Sequence, residues 1–179
     1  DGDMVLMDYA PDYRYYTSDV TRMWPVNGAY SAGQRALSDF ILAYRDALLR
    51  HIRPGVTSDF VLDSAARDMA RYLVGKRFDN PAHLQAVTDS LTFRGHFQHP
   101  VGMAVHDVGL VRGVKLQPGM VFTIEPMIWI HGERLYVRME DVVVVTEDGA
   151  ETLFFFNDAA TTEIERTMKD TGLVQFRPA

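Results

Sequence analysis

The chain contains no cysteine, which excludes disulfides, thiolate zinc sites and a cysteine nucleophile. It has no apolar run near the length of a membrane span. It has no basic run either, and a formal net charge of -6 makes nucleic acid a poor partner. What remains is ordinary globular composition, 47% hydrophobic and 23% charged over 179 residues, enough for one domain with a real core. No linker-like stretch divides it. The chain opens Asp1-Gly2-Asp3 and enters a strand pattern at once, so it reads as part of something longer.

Met4 to Tyr9 is short and apolar, bounded by Gly2 and Pro11, and reads as a strand. Arg14 to Asn27 is rich in β-branched and aromatic residues, and the two together predict a hairpin or short meander. Ser31-Ala-Gly-Gln34 has the form of a capping box, followed by Leu37, Phe40, Ile41, Tyr44, Leu48 and Ile52 at helical spacing. That helix is expected to stop near Arg53-Pro54-Gly55. Ser58 is the expected cap of a second helix carrying Phe60, Leu62, Ala66, Met69 and Leu73, and Pro81 to Ser90 reads as a third. Beyond Thr92 the chain turns irregular and rich in glycine and histidine. Two strands are then expected, Met120 to Ile130 with an interruption at Pro126, and Leu135 to Thr146; a last helix is expected from Thr161 to Thr171.

Five residues carry most of the chemistry: Asp8, Asp19, His99, Glu125 and Glu140. Asp8 ends an apolar strand, where a carboxylate needs a partner or a cation. Asp19 follows it by a strand, a turn and a return, so the two can lie side by side. Glu125 ends Val-Phe-Thr-Ile-Glu-Pro, where burial would raise its pKa and a metal would lower it, as a general base requires. Glu140 shares a strand face with Arg138, while Asp141 takes the other. Three of the six histidines, His96, His99 and His106, fall within eleven positions, which favours metal or acid–base use. Gly102 and Gly109 would let backbone approach a ligand, and Asp107 would hold His106 in one tautomer. Four carboxylates and one imidazole suit manganese, cobalt or zinc. Two close divalent ions would need such an excess of carboxylates to offset about four positive charges. A weaker echo, two carboxylate-bearing hairpins separated by helices, predicts two related αβ halves facing each other.

In order, the segments Val-Leu-Met-Asp8, Ser-Asp19-Val-Thr-Arg, His99-Pro-Val-Gly, Val-His106-Asp-Val-Gly, Pro-Gly-Met-Val-Phe-Thr-Ile-Glu125-Pro and Val-Arg138-Met-Glu140-Asp closely resemble the creatinase/aminopeptidase superfamily of pita-bread metallopeptidases. Within it they are most similar to Xaa-Pro aminopeptidases and prolidases, over roughly residues 1 to 153. The resemblance implies an α+β pita-bread fold of two pseudo-symmetric halves, with a curved antiparallel sheet flanked by helices. Residues 1–179 would form the C-terminal part of the catalytic domain, without the N-terminal domain and the first elements of the catalytic one. The first half of the sheet would then keep an open edge.

The resemblance also implies the roles. Asp8 chelates one metal ion, Asp19 and Glu140 bridge two, and His99 and Glu125 bind the second; manganese is the first expectation, with cobalt and zinc as alternatives. Glu125 would be the acid–base group acting on a metal-activated bridging water. His106 would contact substrate or the developing oxyanion, and Arg138 would orient Glu140 and Asp19. The reaction implied is hydrolysis ahead of proline in the second position of a peptide. The parent is expected to be a homo-oligomer, placed in the cytoplasm first, with export left open. Arg138-Met-Glu140-Asp141 separates the chain from methionine aminopeptidases, which carry an aromatic and a Gln before this Glu. A non-catalytic peptide-binding relative is the other alternative, although such relatives, like creatinases, have usually lost ligands. Two departures stand out. Position 95 is Gly where proline-directed members usually carry His, so His96 is expected to take over its substrate-binding place. Residues 154–164, Phe-Phe-Phe-Asn-Asp-Ala-Ala-Thr-Thr-Glu-Ile, stand where an apolar, proline-rich turn is usual.

Overall fold

The short apolar stretch at the start pairs with the β-branched one that follows it. In the computed structural model, which describes residues 2–154 and 160–170, β1 (Met4–Tyr9) runs antiparallel to β4 (Val20–Pro25), with Asp8 opposite Thr21. Between them β2 (Asp12–Tyr13) and β3 (Tyr16–Thr17) close a smaller hairpin. Its two turn residues, Arg14 and Tyr15, both have positive φ, 54° and 71°. The meander read from the sequence is therefore present. Among the described residues β1 has no strand neighbour besides β4, and Leu6, Met7 and Tyr9 are exposed.

Helix α1 (Ala32–His51) starts on the expected capping box. Ser31 Oγ accepts from the Gln34 amide at 3.2 Å, and Gln34 Oε1 accepts from the Ser31 amide at 2.9 Å. Its stripe Leu37, Phe40, Ile41, Tyr44 and Leu48 is fully buried, and the helix ends at Ile52, before Pro54. Helix α2 (Ser58–Leu73) is capped by Thr57, not Ser58: Thr57 Oγ accepts from the Phe60 amide. Val61, Leu62, Ala65 and Met69 form its buried face, and Phe60, expected in that face, instead lies exposed beneath the Arg53 guanidinium. Helix α3 (Pro81–Ser90) has the predicted bounds, with Asn80 as its cap. No helix among the described residues is long and apolar enough to cross a membrane.

The glycine- and histidine-rich stretch hides a strand, β5 (Phe97–Pro100). It is one edge of an antiparallel sheet ordered β5, β6 (Val121–Ile124), β9 (Asp141–Val145), β10 (Ala150–Thr152). A separate hairpin joins β7 (Met127–Ile130) and β8 (Leu135–Arg138) through a 3-10 turn at His131–Glu133. The two long strands expected from the sequence are thus each broken, one at Glu125-Pro126 and the other at Met139-Glu140. At the first break the Glu125 amide donates to the His96 carbonyl at 2.8 Å. At the second, Glu140 crosses to the first hairpin: its amide donates to the Thr21 carbonyl at 3.2 Å and its carbonyl accepts from the Thr21 amide at 3.3 Å. The last helix, α4 (Thr161–Thr167), is shorter than expected. The end of the predicted helix, and residues 155–159 of the unusual segment, lie outside the described residues.

Candidate metal centre

Both strand breaks point a glutamate at the same volume. Glu140, His99 and Glu125 form one group whose facing atoms all lie within 4.8 Å; Asp8, Asp19 and Glu140 form a second, and Asp19, His99 and His106 a third. All five predicted ligands therefore come together, carried by β1, the residue before β4, β5 and the two breaks. Glu140 belongs to two groups, as do Asp19 and His99. His99 Nε2 stands 3.5 Å from Asp19 Oδ2, 3.5 Å from Glu125 Oε1 and 4.0 Å from Glu140 Oε1. The other ring nitrogen, Nδ1, lies 3.1 Å from the Pro100 carbonyl. A proton donated there leaves the Nε2 lone pair facing the carboxylates, the tautomer a metal ligand needs.

Two threonines hold the glutamates from behind. Thr21 Oγ donates to Glu140 Oε2 at 2.8 Å, and Thr123 Oγ donates to Glu125 Oε1 at 3.1 Å. The sequence reading missed both. Their signal was a period of two: Thr21 lies two places after Asp19, and Thr123 two places before Glu125, each on its carboxylate's face. Arg138 reaches Asp8 Oδ2 and Thr21 Oγ through Nη2, and sits 3.4 Å from Glu140 Oε2 and 3.5 Å from Glu125 Oε2. It thus sits beside Glu140, and the aspartate it contacts is Asp8 rather than Asp19. The β1–β4 register explains this, since it sets Asp8 opposite Thr21, the residue bridged to Glu140.

Asp19, Glu125 and Glu140 are buried and Asp8 is exposed, with Arg138 the one guanidinium among them. Burial, and then the charges of Glu140 and Asp8, push the Asp19 carboxyl up to about 6 against the opposing pull of His99. Burial, and then the hydrogen bond and charge shared with Glu125, raise Glu140 as well, against Thr21 and Arg138. Crowded carboxylates of this kind are destabilised as anions unless cations join them. A donor set of carboxylate oxygens and one imidazole nitrogen, with excess negative charge, fits divalent ions of the manganese, cobalt or zinc type.

His106 is exposed and its ring stacks on that of His99, with centroids 3.9 Å apart and planes 15° from parallel. Asp107 does not orient it. That carboxylate accepts instead from the amides of Met103 and Val108, each at 2.7 Å, and Ala104 at 3.4 Å. A side chain at Gly102 would run into Asp107, so the close approach this glycine allows is to Asp107 and not to a ligand.

His96 is not placed to bind substrate. It is fully buried, edge-on to the rings of Tyr44 and Phe93 at 4.9 and 5.0 Å. Its Nε2 lies 2.9 Å from the Ser90 carbonyl and its Nδ1 lies 3.3 Å from the Met127 amide. Burial lowers its pKa against the opposing hydrogen bonds to the Ser90 and Glu125 carbonyls. Its carbonyl accepts from the Glu125 amide, and its Nδ1 lies 3.3 Å from the Glu125 carbonyl, so it meets the site at the Glu125 main chain. At position 95 a side chain would meet the Phe93 ring, which would have to move aside.

The model of metallopeptidase family M24 matches residues 1–147. The chain is 36% identical over 167 residues to an Xaa-Pro aminopeptidase of Escherichia coli strain K12, covering 86% of this chain and 38% of that protein. It is 34% identical over 165 residues to human Xaa-Pro aminopeptidase 3, covering 83% and 32%. Among solved structures, zinc-substituted E. coli aminopeptidase P in complex with product superposes with a TM-score of 0.72 at 33% identity, over 94% of this chain and 41% of that one. Proline aminopeptidase P II from Yersinia pestis gives 0.69 at 33%, over 92% and 42%. The chain spans about two-fifths of the length of these relatives or less. With the family model matched over most of its length and the Xaa-Pro aminopeptidases above at 36% and 34% identity, the chain belongs to metallopeptidase family M24.

Proposed function

We propose that this chain carries the metal-binding part of a dinuclear exopeptidase that hydrolyses the bond ahead of proline at a peptide's second position. One observation carries the reading: four carboxylates and His99 face a common volume, with Arg138 the one guanidinium paired with them among the described residues. Asp8, Asp19, His99, Glu125 and Glu140 would hold the ions, with Asp19 and Glu140 shared between them; manganese is the first choice, and cobalt and zinc the alternatives. The bound ions supply Lewis acidity and lower the pKa of water.

The rest falls to the side chains. Glu125, fixed by Thr123 on one oxygen and near Arg138 on the other, takes the proton of the attacking water and returns it to the departing proline nitrogen. His106, exposed beside His99, donates a hydrogen bond to the oxyanion that forms at the scissile carbonyl. Arg138 keeps the Asp8, Glu125 and Glu140 oxygens in place. The test is metal-dependent hydrolysis of Xaa-Pro and Xaa-Pro-Yaa peptides beside Met-Ala peptides. Cleavage of Met-Ala with indifference to proline would favour a methionine aminopeptidase. Full metal occupancy without hydrolysis of any of the three would favour a non-catalytic peptide-binding relative.

A further inference from the structure

Behind Glu140, on the face turned away from the metal ligands, lies a second set of charges. Asp141 is fully buried and takes two guanidinium groups: Arg22 Nη2 on Oδ1 at 2.6 Å, and Arg45 Nε on Oδ2 at 2.6 Å. Arg45 comes from the middle of α1 and also binds Asp46 at 2.8 Å. Arg22 comes from β4, and its other terminal nitrogen, Nη1, donates to the Thr21 carbonyl at 2.9 Å and the Glu140 carbonyl at 2.8 Å. Its guanidinium also lies over the Phe154 ring, 4.8 Å from the centroid.

The backbone at Glu140 needs such support. The strand is broken there, and the two main-chain hydrogen bonds it makes to Thr21 are long, 3.2 and 3.3 Å. Arg22 supplies a shorter, charge-assisted bond to the same carbonyl. We propose that Arg22 is a positioning residue: clamped by Asp141, whose other oxygen is held by Arg45, it fixes the Glu140 main chain at the crossing with Thr21, and so sets the Glu140 carboxylate where ions bind. The planar guanidinium is essential to this, because one group must reach two carbonyls and a carboxylate at fixed angles; an ammonium keeps the charge without that geometry. The inference rests on the metal-site reading above.

The test compares Arg22→Met and Arg22→Lys with Val61→Ala, a core change in α2 that lowers stability without touching the network. Manganese affinity is measured by calorimetric titration well below the unfolding transition, and amide exchange is followed at Thr21 and Glu140. Both Arg22 variants are expected to lose about 10–100-fold in manganese affinity, with faster exchange at those two amides. Val61→Ala is expected to change neither by a comparable factor. Arg22 variants no worse than Val61→Ala, or full recovery in Arg22→Lys, would overturn the assignment. Should the wild-type chain bind no manganese, the metal reading fails, and amide exchange at Thr21 and Glu140 then decides the Arg22 role alone.

Discussion

Thr21 and Glu140 bind each other three times: two main-chain hydrogen bonds join their backbones, and the Thr21 hydroxyl donates to Glu140 Oε2 at 2.8 Å. The same hydroxyl accepts from Arg138. Thr21→Val keeps the shape and removes the bridge between guanidinium and carboxylate. The expected result is a folded protein whose metal affinity falls by about 10–100-fold. Calorimetric titration beside circular dichroism checks this, and unchanged affinity would show that Arg138 alone suffices.

The ligand series separates shared from single ligands. Asp19→Ala and Glu140→Ala are each expected to cost both ions, and Asp8→Ala mainly one. Elemental analysis of the purified variants reads this directly. Equal loss of one ion in all three would contradict the sharing. Glu125→Gln is expected to keep at least one ion while hydrolysis falls by about 10²–10⁴-fold; a near-normal rate with metal bound would end its acid–base role.

The raised carboxyl groups predict an unusual pH dependence. A carboxyl whose folded-state pKa is raised favours folding while protonated in both states. That advantage is lost as pH rises from the ordinary carboxylate range through the raised value. For Asp19 the window ends near pH 6, and Glu140 extends it upward. Without metal, Glu140→Gln is therefore expected to be more stable than wild type at pH 8, with most of the difference gone at pH 5. Adding manganese is expected to stabilise the wild type more at pH 8 than at pH 5, because binding releases protons. Scanning calorimetry with chelator and with manganese at the two pH values decides both. A metal-free Gln variant no more stable than wild type at pH 8 would mean that the crowding of Glu140 costs nothing.

Tyr15 offers a stability gain away from the ligands. It is exposed and held at φ 71°, next to Arg14 at φ 54°. A left-handed backbone costs a non-glycine residue about 1–2 kcal/mol, partly offset in the variant by the greater freedom of glycine when unfolded. Tyr15→Gly is expected to raise the melting temperature by about 2–4 °C, with metal affinity unchanged. A lower melting temperature would mean that the ring makes contacts worth more than the strain.

Local pattern carried the helices well. The Ser31 box, the α1 stripe and the α3 bounds follow from spacing alone; the five candidate ligands are each weakly marked, and it is the order of the motifs around them, through the resemblance, that singles them out. What escaped was decided at long range. β5 is four residues with a proline and an irregular register, so no alternation marks it. His96 is buried by Tyr44, more than fifty positions away, and nothing near it in sequence announces that ring. Thr57 and Ser58 are both able caps. The bridge from Thr57 to Lys115 accompanies its extended backbone and leaves Ser58 as the first helical residue. The break at Pro126 was legible, but the one at Met139-Glu140 was not, because β-propensity continues across those residues while the crossing to Thr21 comes from the opposite hairpin.

The five candidate ligands also span the chain, from Asp8 on β1 to Glu140 just before β9, and no two of them share a strand. A pocket assembled from contacts this distant in sequence closes only when the hairpins and helices between them have docked, so loading belongs after the rate-limiting step of folding. An ion that meets its full ligand set only in the native state stabilises that state and not the barrier before it. Manganese is therefore expected to slow unfolding while leaving the refolding rate unchanged, so that a loaded molecule resists opening for longer without having been helped to form.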